Sequence, residues 1–344
     1  MNKAMATYLN FPYDPELFLY NWQNEKDPIL TAMLDSGAVR EDATIKGLIQ
    51  NGSDNYTIPF YKTIGGTPEN YDGATDITIT ETEGGSQSGI VYGRAHAWGA
   101  RDFIIDYNSG ADPMKQITSQ VAKFWAKQKQ TRLINLAEAI FAITGTGDNY
   151  DAWAKHVVDI TSTPPVSHTS NKIAATTIGE AIQYAVGDAA DEFSLAVMHS
   201  KVATNLAGLE ILEYRKYTDA QGIQRLLRIA DINGMTVVID DGCPVTGTGS
   251  STKYTTYLFG NGAFLTAPAN CDKPVESGRD PLKYGGREYL VTRLRETIHP
   301  NGFSFTKPVG YAGSPSEAQL AATANWDIIA NAKNIAMVKL VSKG

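Results

Sequence analysis

The sequence predicts an α+β chain of extended rather than compact build, and three stretches carry that expectation. Residues 113 to 144 form one long candidate helix. Residues 53 to 100 switch to a period of two and form a long β-excursion. Residues 176 to 270 alternate helices with short apolar strands, the pattern of a small α/β unit.

The long helix has clear ends. Asp112 suits an N-cap and Pro113 the first turn, where a missing N–H costs nothing. Gly145 suits the residue just past the C-terminus. At about 1.5 Å per residue this helix spans roughly 48 Å. Its apolar stripe is strong at Ile117, Val121, Phe124 and Trp125, and again at Leu133, Leu136, Ala137, Ile140 and Phe141. Between them Lys127 to Arg132 is polar on every side, which reads as a solvated middle. Such a helix fits a plate that it crosses better than a core that surrounds it.

Composition sets the bounds. The chain has 344 residues, 42 % hydrophobic and 19 % charged, with a formal net charge of −7. That is a folded chain, and its acidity argues against a protein whose main task is gripping nucleic acid. Cys243 and Cys271 lack metal-ligand spacing and read as free thiols of a reducing compartment. No run of 18 apolar residues is present, so no membrane-spanning helix is expected.

In chain order, residues 1 to 52 hold short helical pieces opened by Asp14-Pro15 and Asp27-Pro28. They carry Leu17, Phe18 and Trp22, an aromatic load that suits an arm lying on its own body or on a neighbour. In the β-excursion Tyr56, Ile58 and Phe60 alternate, as do Ile77 and Ile79. A ribbon this long and thin needs another surface, within the chain or on another copy. Thr177 to Glu180 matches a capping box opening a helix through Ala190, and Ser200 suits the cap of the next helix. Leu195 to Met198, Met235 to Ile239 and Tyr254 to Phe259 read as buried strands. Beyond Pro274, Tyr289 to Arg295 alternates as a long antiparallel strand, and Asn301-Gly302 is a turn. Ser314-Pro315-Ser316-Glu317 opens a short last helix.

The search for chemistry returns little. Asp240 and Asp241, with Glu276 and Asp280, are the one set that suits a divalent ion and a metal-dependent hydrolase, but adjacent aspartates before Gly-Cys-Pro read first as a turn. His199-Ser200 is explained by capping before nucleophilic catalysis. Gly145-Thr146-Gly147-Asp148 lacks the lysine of a phosphate loop, and the five histidines show no zinc spacing. No catalytic, cofactor-binding or metal-ligating set is expected, and the chain reads as a non-enzyme.

An ordered series of motifs resembles the major capsid proteins of tailed bacteriophages with the Hong Kong 97-like fold. It comprises Gly110-Ala-Asp112-Pro113, Val197-Met198-His199-Ser200, Val237 to Val245, Tyr254 to Gly260, Val275 to Asp280, Ile298 to Phe303, and Ser314 through Trp326. The match covers residues 90 to 340. The resemblance implies an N-arm at 1–52 and an extended β-loop at 53–100. It implies a peripheral domain at 101–175 and 271–344 with a spine helix at 113–144, and an axial domain at 176–270. It further implies self-assembly of pentamers and hexamers into an icosahedral head shell around double-stranded DNA contacted non-specifically. The partners would be a separate scaffolding protein and a portal, and the location a virion capsid assembled in the bacterial host cytoplasm. A shell of the same fold around an enzyme cargo is the alternative. Under that reading Leu17, Phe18 and Trp22 are expected in arm contacts, and Tyr56, Ile58, Phe60, Ile77 and Ile79 in loop contacts. Arg94, Arg101, Glu276 and Arg279 are expected in ion pairs between subunits.

Overall fold

The computed structural model describes residues 36–344, apart from 51, 62–63, 65, 72–78, 80, 82–83, 103–112, 162–170, 175, 188–191, 210–211, 219–223 and 233. It also describes two short paired strands, β1 (Ala6–Tyr8) and β2 (Phe11–Tyr13). Two sheets dominate, and one long helix runs from the first to the second.

The five-stranded sheet includes the edge strand β3 (Val39–Glu41), next to helix α1 (Ala43–Ile49), whose N-cap Asp42 accepts from the N–H groups of Thr44 and Ile45. The loop ribbon follows as β4 (Asn55–Tyr61) and β5 (Gly84–Ile90), which pair antiparallel with each other. Strand β6 (Tyr92–Arg101) then leads toward the long helix α2 (Pro113–Phe141). Past it lie α3 (Asp148–Ala154) and β7 (Val157–Asp159).

The eight-stranded sheet has the order β7, β19 (Met337–Ser342), β13 (Lys253–Gly260), β8 (Phe193–Met198), β11 (Met235–Ile239), β10 (Gln224–Ile232), β9 (Glu213–Thr218), with β12 (Val245–Thr246) paired to β13. It therefore takes strands from both sides of the 176–270 segment. Its central strands β8, β11 and β13 are apolar on both faces because both faces are covered. Leu195, Val197, Val238, Tyr257 and Phe259 join one core with the second half of α2 and Trp153 of α3. Ala196, Met198, Val237, Ile239, Leu258 and Leu340 join another with α4 (Thr177–Val186) and α5 (Ser200–Gly208).

The five-stranded sheet is built on β16 (Arg287–Pro300). Strand β6 pairs along one side of it, while β15 (Val275–Asp280) and then β14 (Phe264–Pro268) pair along the other, with β3 parallel to β14. The first half of α2 rests on this sheet. Val121 and Trp125 pack on Ala100 and Leu290, and the Trp125 indole donates to Thr292 Oγ1 at 3.0 Å. The chain closes with the pair β17 (Phe303–Phe305) and β18 (Trp326–Ile328), the short helix α6 (Glu317–Leu320) and β19.

Several local expectations shift. Helix α2 ends at Phe141, three residues before the sequence reading, and the turn tightens as Ile143 N–H bonds to Ile140 C=O. Gly145 is required there by contact rather than by conformation: a Cβ would sit 2.7 Å from the Tyr150 ring. Helix α4 stops at Gly187, in the left-handed region at φ 70°, instead of reaching Ala190. Thr177 does not cap it. Its hydroxyl accepts from Ala174 N–H at 2.9 Å and braces the preceding turn. His199, not Ser200, caps α5, because the imidazole Nδ1 accepts from Lys201 N–H. At α6 the capping box is not Ser314 with Glu317 but lies two residues on, formed by the N-cap Ser316 and Gln319.

Candidate functional site

The β-excursion divides into a locked base and an exposed outer part. At the base two aromatics of β4 lie across glycines of β5, Tyr56 over Gly89 and Phe60 over Gly85. A side chain at either glycine would collide with the ring, so the glycines set how the rings lie. Tyr56 is buried, and its hydroxyl shares a hydrogen bond of 2.8 Å with Thr297 Oγ1; Thr297 in turn donates to Ile90 C=O at 2.8 Å. Burial pushes the Tyr56 phenol well above its ordinary pKa, so it stays neutral. Ile58 packs beside Ile45, Ile49 and Val91 in a small apolar cluster, and Phe60 is half-buried.

A second tie comes from His299 on β16. Its Nε2 lies 3.0 Å from Gln87 Oε1 on β5, which also accepts from Gly302 N–H at 3.1 Å. Burial lowers the His299 pKa to about 4, so the ring is neutral at ordinary pH. Lys307 closes the edge by pairing with Asp54 at 2.9 Å. The outer part is the opposite. Tyr61, Ile64, Tyr71 and Ile79 are all exposed, with Ile79 at 87 %. Ile77 lies outside the described residues, as do Leu17, Phe18 and Trp22 of the expected arm.

The four charged residues expected between subunits all have contacts within the chain. Arg94 pairs with Glu317 at 2.7 Å, and Glu276 pairs with Arg293 at 3.0 Å. Arg279 pairs with Asp102 and approaches Glu288 at 3.9 Å. The Arg101 guanidinium sits over the Tyr284 ring at 4.2 Å.

The polar middle of α2 is solvated on the side of Lys127 and Thr131, but its other side is not. Arg132 is buried, donates to Glu317 at 2.6 Å and lies 3.3 Å from Glu296. Tyr92 donates to Glu296 at 3.0 Å and lies under the Arg132 guanidinium. Lys129 pairs with Glu296 at 3.1 Å, and Gln130 donates to Asp240. Burial alone would lower the Arg132 pKa, but the bond to Glu317 and the charges of Glu317 and Glu296 outweigh it and raise it. Burial likewise pushes Glu317 up, and its bonds to Arg132 and Arg94 bring it below the usual carboxylate range. The middle turns are thus a charge junction joining α2, β6, β16 and α6. A polar run of this kind cannot be told from a solvated face in the sequence, since its acidic partners lie well over a hundred positions away.

The residues considered for chemistry have structural duties. Asp240 Oδ1 accepts from Gly242 N–H at 2.8 Å and Asp241 Oδ1 from Ser200 N–H at 3.2 Å, so both carboxylates hold the turn after β11. Among the described residues no group of three or more His, Cys, Asp or Glu side chains is placed to hold a metal ion. Burial, with Asp240 and Asp241 nearby, pushes the Cys243 thiol far up, away from the thiolate that nucleophilic chemistry needs. Both cysteines are free, and no described helix is long and apolar enough to cross a membrane.

This architecture defines a class. The chain has the Hong Kong 97-like α+β fold of tailed-phage capsid subunits. The capsid of Ralstonia phage GP4 superposes with a TM-score of 0.56 at 9 % identity, over 90 % of this chain and 88 % of that one. The capsid subunit of cyanophage Pam1 gives 0.54 at 12 % identity, over 93 % and 94 %. In sequence the chain is 26 % identical over 313 residues to the major capsid protein of Bacillus phage SPP1, covering 90 % of each. No protein-family model matches it.

Proposed function

We propose that this chain is a structural shell subunit of a tailed-phage head, acting by assembly rather than by turnover. The observation that carries the reading is the division of the β-excursion. Its base is fixed by Tyr56, Gln87 and His299, while Tyr61, Ile64, Tyr71 and Ile79 are exposed among the described residues. A projecting ribbon gains stability when its apolar residues reach another copy, and many such weak contacts become cooperative in a closed shell. The fold and the end-to-end relationship to a phage major capsid protein support the same reading. That relative is a phage protein, which favours a head around DNA over a compartment around an enzyme.

In this reading residues 1–52 are the arm, 53–100 the extended loop and α2 the spine of a flat tile, with the 176–270 region gathered about five- and six-fold axes. The acidic shell contacts packaged double-stranded DNA without gripping it. A separate scaffolding protein and a portal complete the assembly in the host cytoplasm. Arg94, Arg101, Glu276 and Arg279 contribute to neighbouring copies by extending the pairs they already make.

Electron microscopy and light scattering of the expressed chain test the reading: closed particles or capsomers of five or six copies are expected. A chain that stays monomeric at high concentration overturns it. Ala126→Pro breaks α2 at an interior turn, at a cost of about 3 kcal/mol. It is expected to abolish particles, and closed shells from this variant would remove the spine role.

A further inference from the structure

His299 sits at the seam between the ribbon base and the five-stranded sheet, and its two ring nitrogens have unequal surroundings. The ring is fully buried. Gln87 Oε1 already accepts from Gly302 N–H at 3.1 Å, so it faces the imidazole as an acceptor. The proton of the neutral ring therefore lies on Nε2, 3.0 Å away. Nδ1 is buried with no hydrogen-bond partner among the described residues. A second proton would have to go there, as a buried charge without a partner. The surroundings give that charge no relief. Strand β4 presents the Tyr56 ring edge-on at 6.0 Å, β18 presents Trp326 at 6.5 Å, β5 presents the neutral Gln87 amide, and Leu265 of β14 pairs opposite. The Tyr56 phenol is the titratable group facing the ring, and burial keeps it neutral. The charges of the seam are Asp42, Asp54 with Lys307, and Glu296 with Lys129. None of them acts on His299, whose pKa is displaced by burial alone.

The other ties of the ribbon base do not titrate between pH 4.5 and 7. Tyr56 shares its bond with Thr297, and Ser88 N–H donates to Ser304 Oγ at 3.0 Å. The Asp54 carboxyl, held low chiefly by its bond to Lys307, keeps that pair in the same window. His299 is the point at which mild acid acts. We propose that His299 and Gln87 form an acid-released latch: a proton reaches Nδ1 only when β5 lifts from β16, so mild acid frees the β4–β5 base while the eight-stranded sheet stays folded. This is local opening ahead of global unfolding. His156 makes the contrast. It is also buried with one unpartnered nitrogen, Nε2, but its Nδ1 donates to Met337 C=O of β19, in the covered core. A proton reaches it only if that core unfolds. The latch is a property of the single chain and stands apart from the shell reading.

The closed base binds fewer protons than the open one, so the open fraction rises as pH falls. With His299 at about 4 when closed and at its ordinary 6.5 when exposed, that fraction grows about fiftyfold from pH 7 to 4.5. Hydrogen exchange of the whole chain at the two pH values tests it, at dilutions where sedimentation shows single chains. Each amide is referred to its intrinsic rate at that pH. Protection in β4 and β5 is expected to fall about fiftyfold on acidification, while β8 and β13 keep theirs. His299→Phe cannot take up the proton and is expected to hold the ribbon protection constant. Gln87→Glu sets a carboxylate opposite the ring, pairs the imidazolium inside the closed base and is expected to abolish the acid effect as well. It leaves His299 in place and decides the matter if His299→Phe does not fold. Ribbon protection that ignores pH in the wild type overturns the latch, as does an acid effect that persists in a folded variant. An equal loss in β8 and β13 also overturns it, because the chain would then be unfolding as a whole.

Discussion

The eight-stranded and five-stranded sheets differ in what covers them. The first has apolar side chains on both faces, with α4 and α5 on one side and α2 and α3 on the other. The second joins that core at one end, through Val39, Tyr92, Phe264 and Ile298, but under the first half of α2 it carries only a small apolar cluster, and most residues of β6 and β15 are at least partly exposed. Burial drives folding in proportion to apolar area, so the first sheet is the source of the subunit's own stability. The open end of the second, with the ribbon base, depends more on hydrogen bonds and ion pairs. Stability and assembly are therefore separable by mutation.

The largest effect belongs to the covered sheet. Phe259 is fully buried between Tyr257 and Phe264, and Phe259→Ala is expected to lose about 4 kcal/mol in urea unfolding. Val275→Ala, on the open sheet, is expected to cost about 1 kcal/mol or less because the side chain is only partly buried. Equal costs would mean that the two sheets are not divided in this way.

Each region also holds a buried histidine. His156 stacks on Trp153, its Nδ1 lies 2.7 Å from Met337 C=O, and burial lowers its pKa. His299 is lowered to about 4 at the ribbon base. Between pH 6.5 and 4 the unfolded chain takes up protons that the folded chain refuses, so stability falls as pH falls through that window. For His299 the loss reaches about 3 kcal/mol. Asp54 and Glu317 are lowered from already low values and lose their contribution only at still lower pH. In unfolding measured from pH 7 to 4, His299→Phe is expected to flatten the slope while leaving the His156 part. An unchanged slope would show that His299 is not buried neutral.

Arg132→Ala weakens the junction between the regions. Breaking a buried pair costs several kcal/mol when it strands a charge, but here Glu296 keeps Lys129 and Glu317 keeps Arg94. The expected loss is therefore about 2 kcal/mol by denaturant unfolding. Arg132→Lys is expected to recover only part of it, since a lysine lacks the fork that reaches both carboxylates. Full recovery would reduce the junction to a simple charge.

The apolar periods made the covered sheet readable. Leu195 to Met198, Met235 to Ile239 and Tyr254 to Phe259 are strands buried on both faces, and runs that uniform have few other readings. The ordered motifs carried the fold itself. What stayed hidden depends on partners distant in sequence. Arg132 reads as surface until Glu296 and Glu317 are brought beside it, and Gln87 is an ordinary polar strand residue until His299 faces it. Strands β7 and β19 lie far apart in the chain and yet pair in parallel, which no local pattern announces. The edge-on contact of Trp98 with Phe124 was invisible for the same reason, because β6 and α2 meet only in space.

The smallest effect probes how the ribbon base is set. A Cβ at Gly89 would stand 2.2 Å from the Tyr56 ring, so Gly89→Ala has to push that ring aside and lengthen the bond to Thr297. Overpacking of this kind costs about 1–2 kcal/mol. The change falls at the base, so hydrogen exchange is expected to rise in β4 and β5 and to stay constant in β8 and β13. Gly47→Ala is the matched control. It lies in α1 with nothing within 4 Å of the added carbon, and there alanine is expected to stabilise by up to about 1 kcal/mol. Opposite signs at the two glycines would show that ring contact, not chain flexibility, keeps glycine at position 89. Faster exchange in the eight-stranded sheet of the Gly89 variant would instead show that the ribbon base and the covered core unfold as one unit.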